Sequence, residues 1–445
     1  MNIKLSDHFD YKKIFKFTLP SIAMMVFSSI YWIVDGFFVS NFAGKTAFAA
    51  VNFIYPFIGI LGAFGFMFGT GGSALVSKTF GEKDDVKANK IFSMIIYITI
   101  IVGIIITILG QIFLKDVAIM LGAENELLDN SILYGRIVLL SLTAFMLQME
   151  FQSFFVTAEK PTLGLIVTII AGVSNMILDA LLVGVFDLGI IGAASATVFA
   201  QSIGGFIPLI YFIRKNNSIL RIGKFSFDVK ALFKTCTNGS SELLSNVSMN
   251  LVGMLYNVQL LKYAGEDGVA SYGILMYVCM VFLAIFIGYT VGLAPVIGYH
   301  YGANNESELK GLTKKSLIII LSTSISMFIL SEVLATPLSM IFASYDKDLL
   351  DLTKRGFLLY SFSYLFSGLA IFGSGFFTSL NNGLISAIIS FLRTIVFQIA
   401  AVIIFPLIWE VDGIWISVVF AELMAAMLSI IFIIANKKKY NYLKI

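Results

Sequence analysis

Residues 162–213 read TLGLIVTIIAGVSNMILDALLVGVFDLGIIGAASATVFAQSIGGFIPLIYFI, and only Asp179 and Asp187 in that length are charged. The turn-like VFDLG around Asp187 divides the stretch into apolar runs at 162–184 and 189–213. Each run reaches the ~20 residues that a helix needs to cross a bilayer core. The stretch therefore reads as a pair of transmembrane helices.

The same scan outward gives spans at 14–39, 47–71, 91–113 and 132–156 before the pair, and at 236–260, 270–298, 316–337, 355–379, 384–408 and 412–435 after it. Composition agrees with this reading. The 445 residues are 58% hydrophobic and 13% charged, with mean hydropathy +0.92. Soluble globular chains carry about 25% charged residues, so the fold class is all-α integral membrane with twelve transmembrane helices. A net charge of +3 implies no nucleic-acid partner. Cys236 and Cys279 stand far apart in apolar surroundings, so neither a disulfide framework nor a structural metal site is indicated. His8 and His300 are the only histidines, too few for a membrane-embedded hydrolase or acyltransferase, and no HExxH is present. The chain is read as a non-enzyme. No GxxxxGK[ST] occurs, which excludes ATP as the direct driver.

Loop Lys and Arg set the expected orientation. With the N-terminus inside, 22 fall on the cytoplasmic side and six on the other (Lys45, Lys115, Lys262, Lys347, Lys354 and Arg355). Both termini are expected in the cytoplasm and the protein in the plasma membrane, multi-pass. The basic stretch 214–235 separates a first lobe, 1–213, from a second, 236–445. The lobes repeat. An offset of 221 places Ala43-Gly44 on Ala264-Gly265, Gly71 on Gly292, Gly192 on Gly413, and VFAQ (ending at Gln201) on VFAE (ending at Glu422). Six spans per repeat is an even number, so both lobes enter the membrane in the same direction, around a central cavity. Parallel repeats of this kind are a transporter architecture.

Ionisable groups inside spans cost about 2.5–3.5 kcal/mol each on insertion scales and mark function by default. Asp35, Glu150, Asp179, Glu242, Glu332, Glu422, Arg136 and Arg393 are so placed. Glu150, Glu332 and Arg136 lie near span ends and are expected to snorkel. Arg393 and Glu422 are read as partners within the second lobe, and Glu242 as a hydrogen-bond hub or a cation site. Asp35 and Asp179 stand at matching depth, about 8 Å from their span ends at 1.5 Å per residue. Asn175 shares the Asp179 face at i, i+4, and Thr197 enters at similar depth. Two carboxylates in a low-dielectric pocket do not both stay ionised, so the group would hold a proton, or Na⁺ on its oxygen ligands. The competing use is a helix-to-helix hydrogen bond.

With PSIAMMVFSSIYWIVDGFFVSNFAG at 20–44, N-x-x-x-D at 175–179 and the six-plus-six repeat, the chain resembles the multidrug and toxic compound extrusion (MATE) family along essentially its whole length. It is DinF-like in the first lobe. The resemblance implies that Asp35, Asn175, Asp179 and Thr197 couple a cation or proton, that Pro20 is a pivot, and that Tyr31 and Gln152 line the cavity. It further implies a monomeric, cation-coupled (H⁺ or Na⁺) antiporter without a resident cofactor, exporting amphipathic cationic organic compounds by alternating access. The stretch 360–382, span 10 and the turn after it, carries no Asp or Glu, unlike family branches that place a sodium site in the second lobe. Glu242 thus lacks its usual companion. The alternative reading is a flippase for a lipid-linked sugar or cell-wall precursor.

Overall fold

The computed structural model describes residues 3–343 and 346–442. Among these residues there is no strand. Ten helical elements are long and apolar enough to cross a membrane, and a bent pair, Asn125–Leu139 with Leu142–Thr157, passes the same test when taken together. One of the ten, Val229–Gly302, is broken at Gly265 (φ 64°, ψ −153°) and supplies two spans. The architecture is therefore twelve transmembrane helices in two six-helix repeats.

Several boundaries differ from the sequence reading, each for a local reason. Span 4 is not one straight helix. It bends by 58° where Leu140 and Ser141 interrupt it. Span 7 begins at Val229 because Asp228 caps it, accepting from the Ala231 N–H at 3.0 Å. The non-helical connection is thus 214–228 and not 214–235. Span 11 ends at Ile404, and the turn before span 12 lies at Trp409 and Glu410, where φ/ψ leave the helical region. Span 2 runs Lys45–Gly81, ten residues past its apolar run, because its far end is buried between the lobes.

That burial is made by glycine. A Cβ on Gly71 of span 2 would stand 2.6 Å from the Gly239 nitrogen of span 7, and one on Gly239 would stand 2.7 Å from the Met67 carbonyl carbon. A Cβ on Gly81 would be 2.8 Å from the Ala303 nitrogen, one on Gly302 2.8 Å from the Lys78 carbonyl carbon, and one on Gly288 2.5 Å from Ile22 Cα. Carbon atoms pack at about 3.5–4.0 Å, so only glycine allows these crossings. All of them lie in the half of the molecule that carries the termini. The N-terminal segment crosses the same end: Leu5 N–H donates to Glu159 Oε1 at 2.7 Å in the first lobe, and Phe9 N–H donates to Glu308 Oε1 at 2.8 Å in the second. The lobes are joined at this end by backbone contact.

Candidate functional site

Three helices of the first lobe each turn an i, i+4 pair toward one point: Tyr31 and Asp35 from span 1, Asn175 and Asp179 from span 5, Thr197 and Gln201 from span 6. All six are at most 8% exposed. Spans 1 and 5 both change to π-helix beside their acids, at Val39–Ala43 and Ala180–Val185. A π segment spreads the backbone and recurs at functional sites.

A small cavity is lined by Tyr31, Trp32, Asp35, Asn175, Thr197, Ala200 and Gln201, and its volume is about 10 Å³. Roughly 10–15 Å³ on this measure holds one water, so the space suits a proton, a water or a small cation and excludes an organic substrate. Asp179 does not line it but faces Asp35, which does. Among the described residues, Asp35 Oδ1, Asn175 Oδ1 and both Asp179 carboxylate oxygens are buried without a hydrogen-bond partner. Buried polar oxygens are normally paired, and unpaired carboxylate oxygens in apolar surroundings are costly. Asp35 and Asp179 face each other as two acceptors, and such a pair is satisfied only with a proton or cation between them. An oxygen-rich set with spare lone pairs fits a proton or a hard monovalent cation.

The structure brings Asp35, Asn175, Asp179, Thr197 and Tyr31 together. Pro20 lies elsewhere, in an unbroken stretch of span 1 beside Ser21 and Ile22, which pack on span 8. Gln152 is 4% exposed and stands apart from this small cavity. Gln148, one turn earlier, is the glutamine beside Tyr31. Glu242 is half-buried on span 7 in the other lobe and forms no ion pair among the described residues.

Sequence reasoning missed Gln201, Gln148, Tyr134, Tyr55 and Trp32. Gln201 accepts from Ser141 Oγ at 2.6 Å, Tyr134 stands beside Thr197, and the Trp32 and Tyr55 rings meet at 4.6 Å. Only Gln201 left a signal, in the VFAQ/VFAE repeat. Glu150 does not snorkel: it is fully buried beside Thr99, where the approach of span 2 to span 4 at Gly69 leaves it no path to the span end. Arg136 is exposed, and Glu332 accepts from Ser361 Oγ.

The MatE family model matches the chain twice, at residues 20–181 and 243–404. The chain belongs to the MatE family. The two matches fall one on each repeat. Among curated relatives, the multidrug export protein MepA of Staphylococcus haemolyticus is 28% identical over 376 residues, covering 81% of this chain and 82% of its own. MepA of Staphylococcus aureus strain N315 is 27% identical over 314 residues, covering 70% and 68%. These relatives are export proteins, not enzymes. Among solved structures, an outward-facing multidrug resistance MATE transporter superposes with TM-score 0.91 at 21% identity, covering 98% of each chain. A mutant of the Vibrio cholerae MATE transporter VcmN superposes with TM-score 0.89 at 20% identity, covering 97% of this chain and 98% of that one.

Proposed function

We propose that this MatE-family membrane protein is an antiporter that exports amphipathic, cationic organic compounds in exchange for H⁺ or Na⁺, as a monomer in the plasma membrane with both termini in the cytoplasm. The observation that carries this reading is the buried Asp35–Asn175–Asp179–Thr197 set, with unpartnered oxygens around a cavity of ion size. The export names of the MepA relatives support the substrate class, and the lack of a phosphate-binding loop leaves the ion gradient as the driver.

The mechanism follows from charge and seam. An ion entering the Asp35/Asp179 layer neutralises a buried negative charge. Span 1 carries both that layer and, a few turns away, the Ser21–Ile22 contact with Gly288. Rearrangement of the layer is thereby transmitted to the inter-lobe seam. Alternating access is then the parting and re-forming of that seam. A flippase for a pyrophosphate-linked lipid would want free basic groups facing its cavity. Here Arg136 is exposed on span 4, and Arg393 is held by Glu422.

The test is uptake of a fluorescent organic cation into proteoliposomes, with pH and Na⁺ gradients imposed separately. One gradient should drive accumulation in the wild type and neither should in Asp35→Asn. Accumulation driven by neither gradient in the wild type would overturn the assignment.

A further inference from the structure

The two repeats allow the ion layer of the first lobe to be located in the second. Corresponding turns serve as anchors: Gly44 with Gly265 and Glu159 with Asn381, all at positive φ, and Gly192 with Gly413, each packed against the last turn of the preceding span. These anchors set Tyr256 opposite Asp35, Phe397 opposite Asn175, Ala401 opposite Asp179 and Val418 opposite Thr197. None of the four counterparts has a carboxylate. Tyr256 spends its hydroxyl on Ser417 Oγ at 2.7 Å and stacks on Tyr272.

One helical turn toward the terminus-bearing end, the first lobe has Ala171 and Gln201, and the second has Arg393 and Glu422. Here the second lobe places an ion pair. Arg393 Nε lies 3.0 Å from both Glu422 oxygens, and Nη2 lies 2.9 Å from Oε1. The side chains are 14% and 4% exposed. Arg393 occupies a π segment, Leu392–Phe397, as the first-lobe acids adjoin theirs. Glu242 on span 7 feels the Arg393 charge, and Tyr256 and Cys279 face Glu422 from spans 7 and 8. A guanidinium stays protonated under all working conditions, and its fork satisfies both carboxylate oxygens at once.

We propose that Arg393 is a tethered cation that permanently neutralises the second lobe one helical turn from the counterpart of the ion site, so that the protein carries a single coupling ion per cycle, on the first lobe. This rests on the first-lobe site being the coupling site. Removing the guanidinium alone leaves Glu422 and Glu242 as unneutralised acids, and the second lobe then recruits a mobile cation.

Radioactive Na⁺ binding and net proton uptake on acidification, both measured on the purified full-length protein, decide it. Wild type should bind one cation that Asp179→Asn abolishes. Arg393→Met should bind one more than wild type, and Arg393→Met combined with Glu422→Gln should return to one. Arg393→Lys should keep the count at one. No gain in Arg393→Met, or two cations already in wild type with the second lost in Glu422→Gln, overturns the proposal. Should Arg393→Met fail to fold, Glu422→Gln alone still decides: the count must stay at one, and a loss of ion binding overturns the proposal. A wild-type ion that survives Asp179→Asn instead indicts the first-lobe assignment, a separate outcome.

Discussion

Gly239→Ala is the sharpest probe of the seam between the lobes. The new methyl group would stand 2.7 Å from the Met67 carbonyl carbon and 2.9 Å from Met67 Cα. The Met67 carbonyl oxygen is nearer still, so relief requires the helices of spans 2 and 7 to part by roughly 1.5 Å to restore ordinary van der Waals contact. The neighbours are backbone atoms, so no side-chain rotation provides it. Overpacking of this kind costs roughly 1–3 kcal/mol, and the cost falls only on the conformation in which the seam is closed. A differential of that size shifts a two-state equilibrium about 5- to 150-fold. Spin labels placed on the terminus-bearing ends of spans 2 and 8, read by pulsed electron resonance, should show the ratio of long- to short-distance populations in Gly239→Ala rising by such a factor. Gly253→Ala, on the same span with nothing within 4 Å of its added methyl group, should leave the distances unchanged. Identical distributions for wild type and Gly239→Ala would refute the claim that these crossings hold the lobes together.

Three further outcomes follow from the same packing. Glu308→Ala should free the N-terminal segment to proteolysis. The loss comes from the buried Phe9 N–H bond, roughly 1.5–3 kcal/mol for a charged acceptor, since His8 is 74% exposed and its pairing is screened; unchanged cleavage would contradict it. Burial pushes the Glu159 carboxyl above the ordinary glutamate range, outweighing the Leu5 N–H that it accepts. Its contribution to stability is then full below that range and lost as pH rises through the raised value, so Glu159→Gln should show a flatter melting temperature across that window. Tyr256→Phe should lower stability by about 1 kcal/mol through the lost Ser417 bond, measured by thermal unfolding in detergent, without changing the ion that drives transport.

The sequence disclosed what is encoded locally. Spans announce themselves by length and hydropathy, and Asn175–Asp179 shows its shared face by i, i+4 spacing alone. Asp35 and Thr197 were found because each is the polar exception at a matching depth. Gln148 and Tyr134 were not, because they belong to a bent span whose 58° break at Leu140–Ser141 decides which of its faces meets Tyr31. Glu150 illustrates the same limit: closeness to a span end suggested snorkelling, but the approach of span 2 at Gly69 buries it completely. The Arg393–Glu422 pairing was readable as a possibility from opposite charges in adjacent spans. The 221 offset already sets Glu422 opposite Gln201; placing Arg393 opposite Ala171 required the positive-φ turns at Glu159 and Asn381, which move the offset of that span to 222.

The central claim is that Asp35 and Asp179 convert an ion gradient into substrate export. Gradient-driven accumulation of a fluorescent cation should be measured beside its gradient-free exchange, in proteoliposomes of wild type and Asp179→Asn. The account predicts that Asp179→Asn loses accumulation against a concentration difference. Accumulation by Asp179→Asn to the wild-type level, under the same gradient, would contradict it.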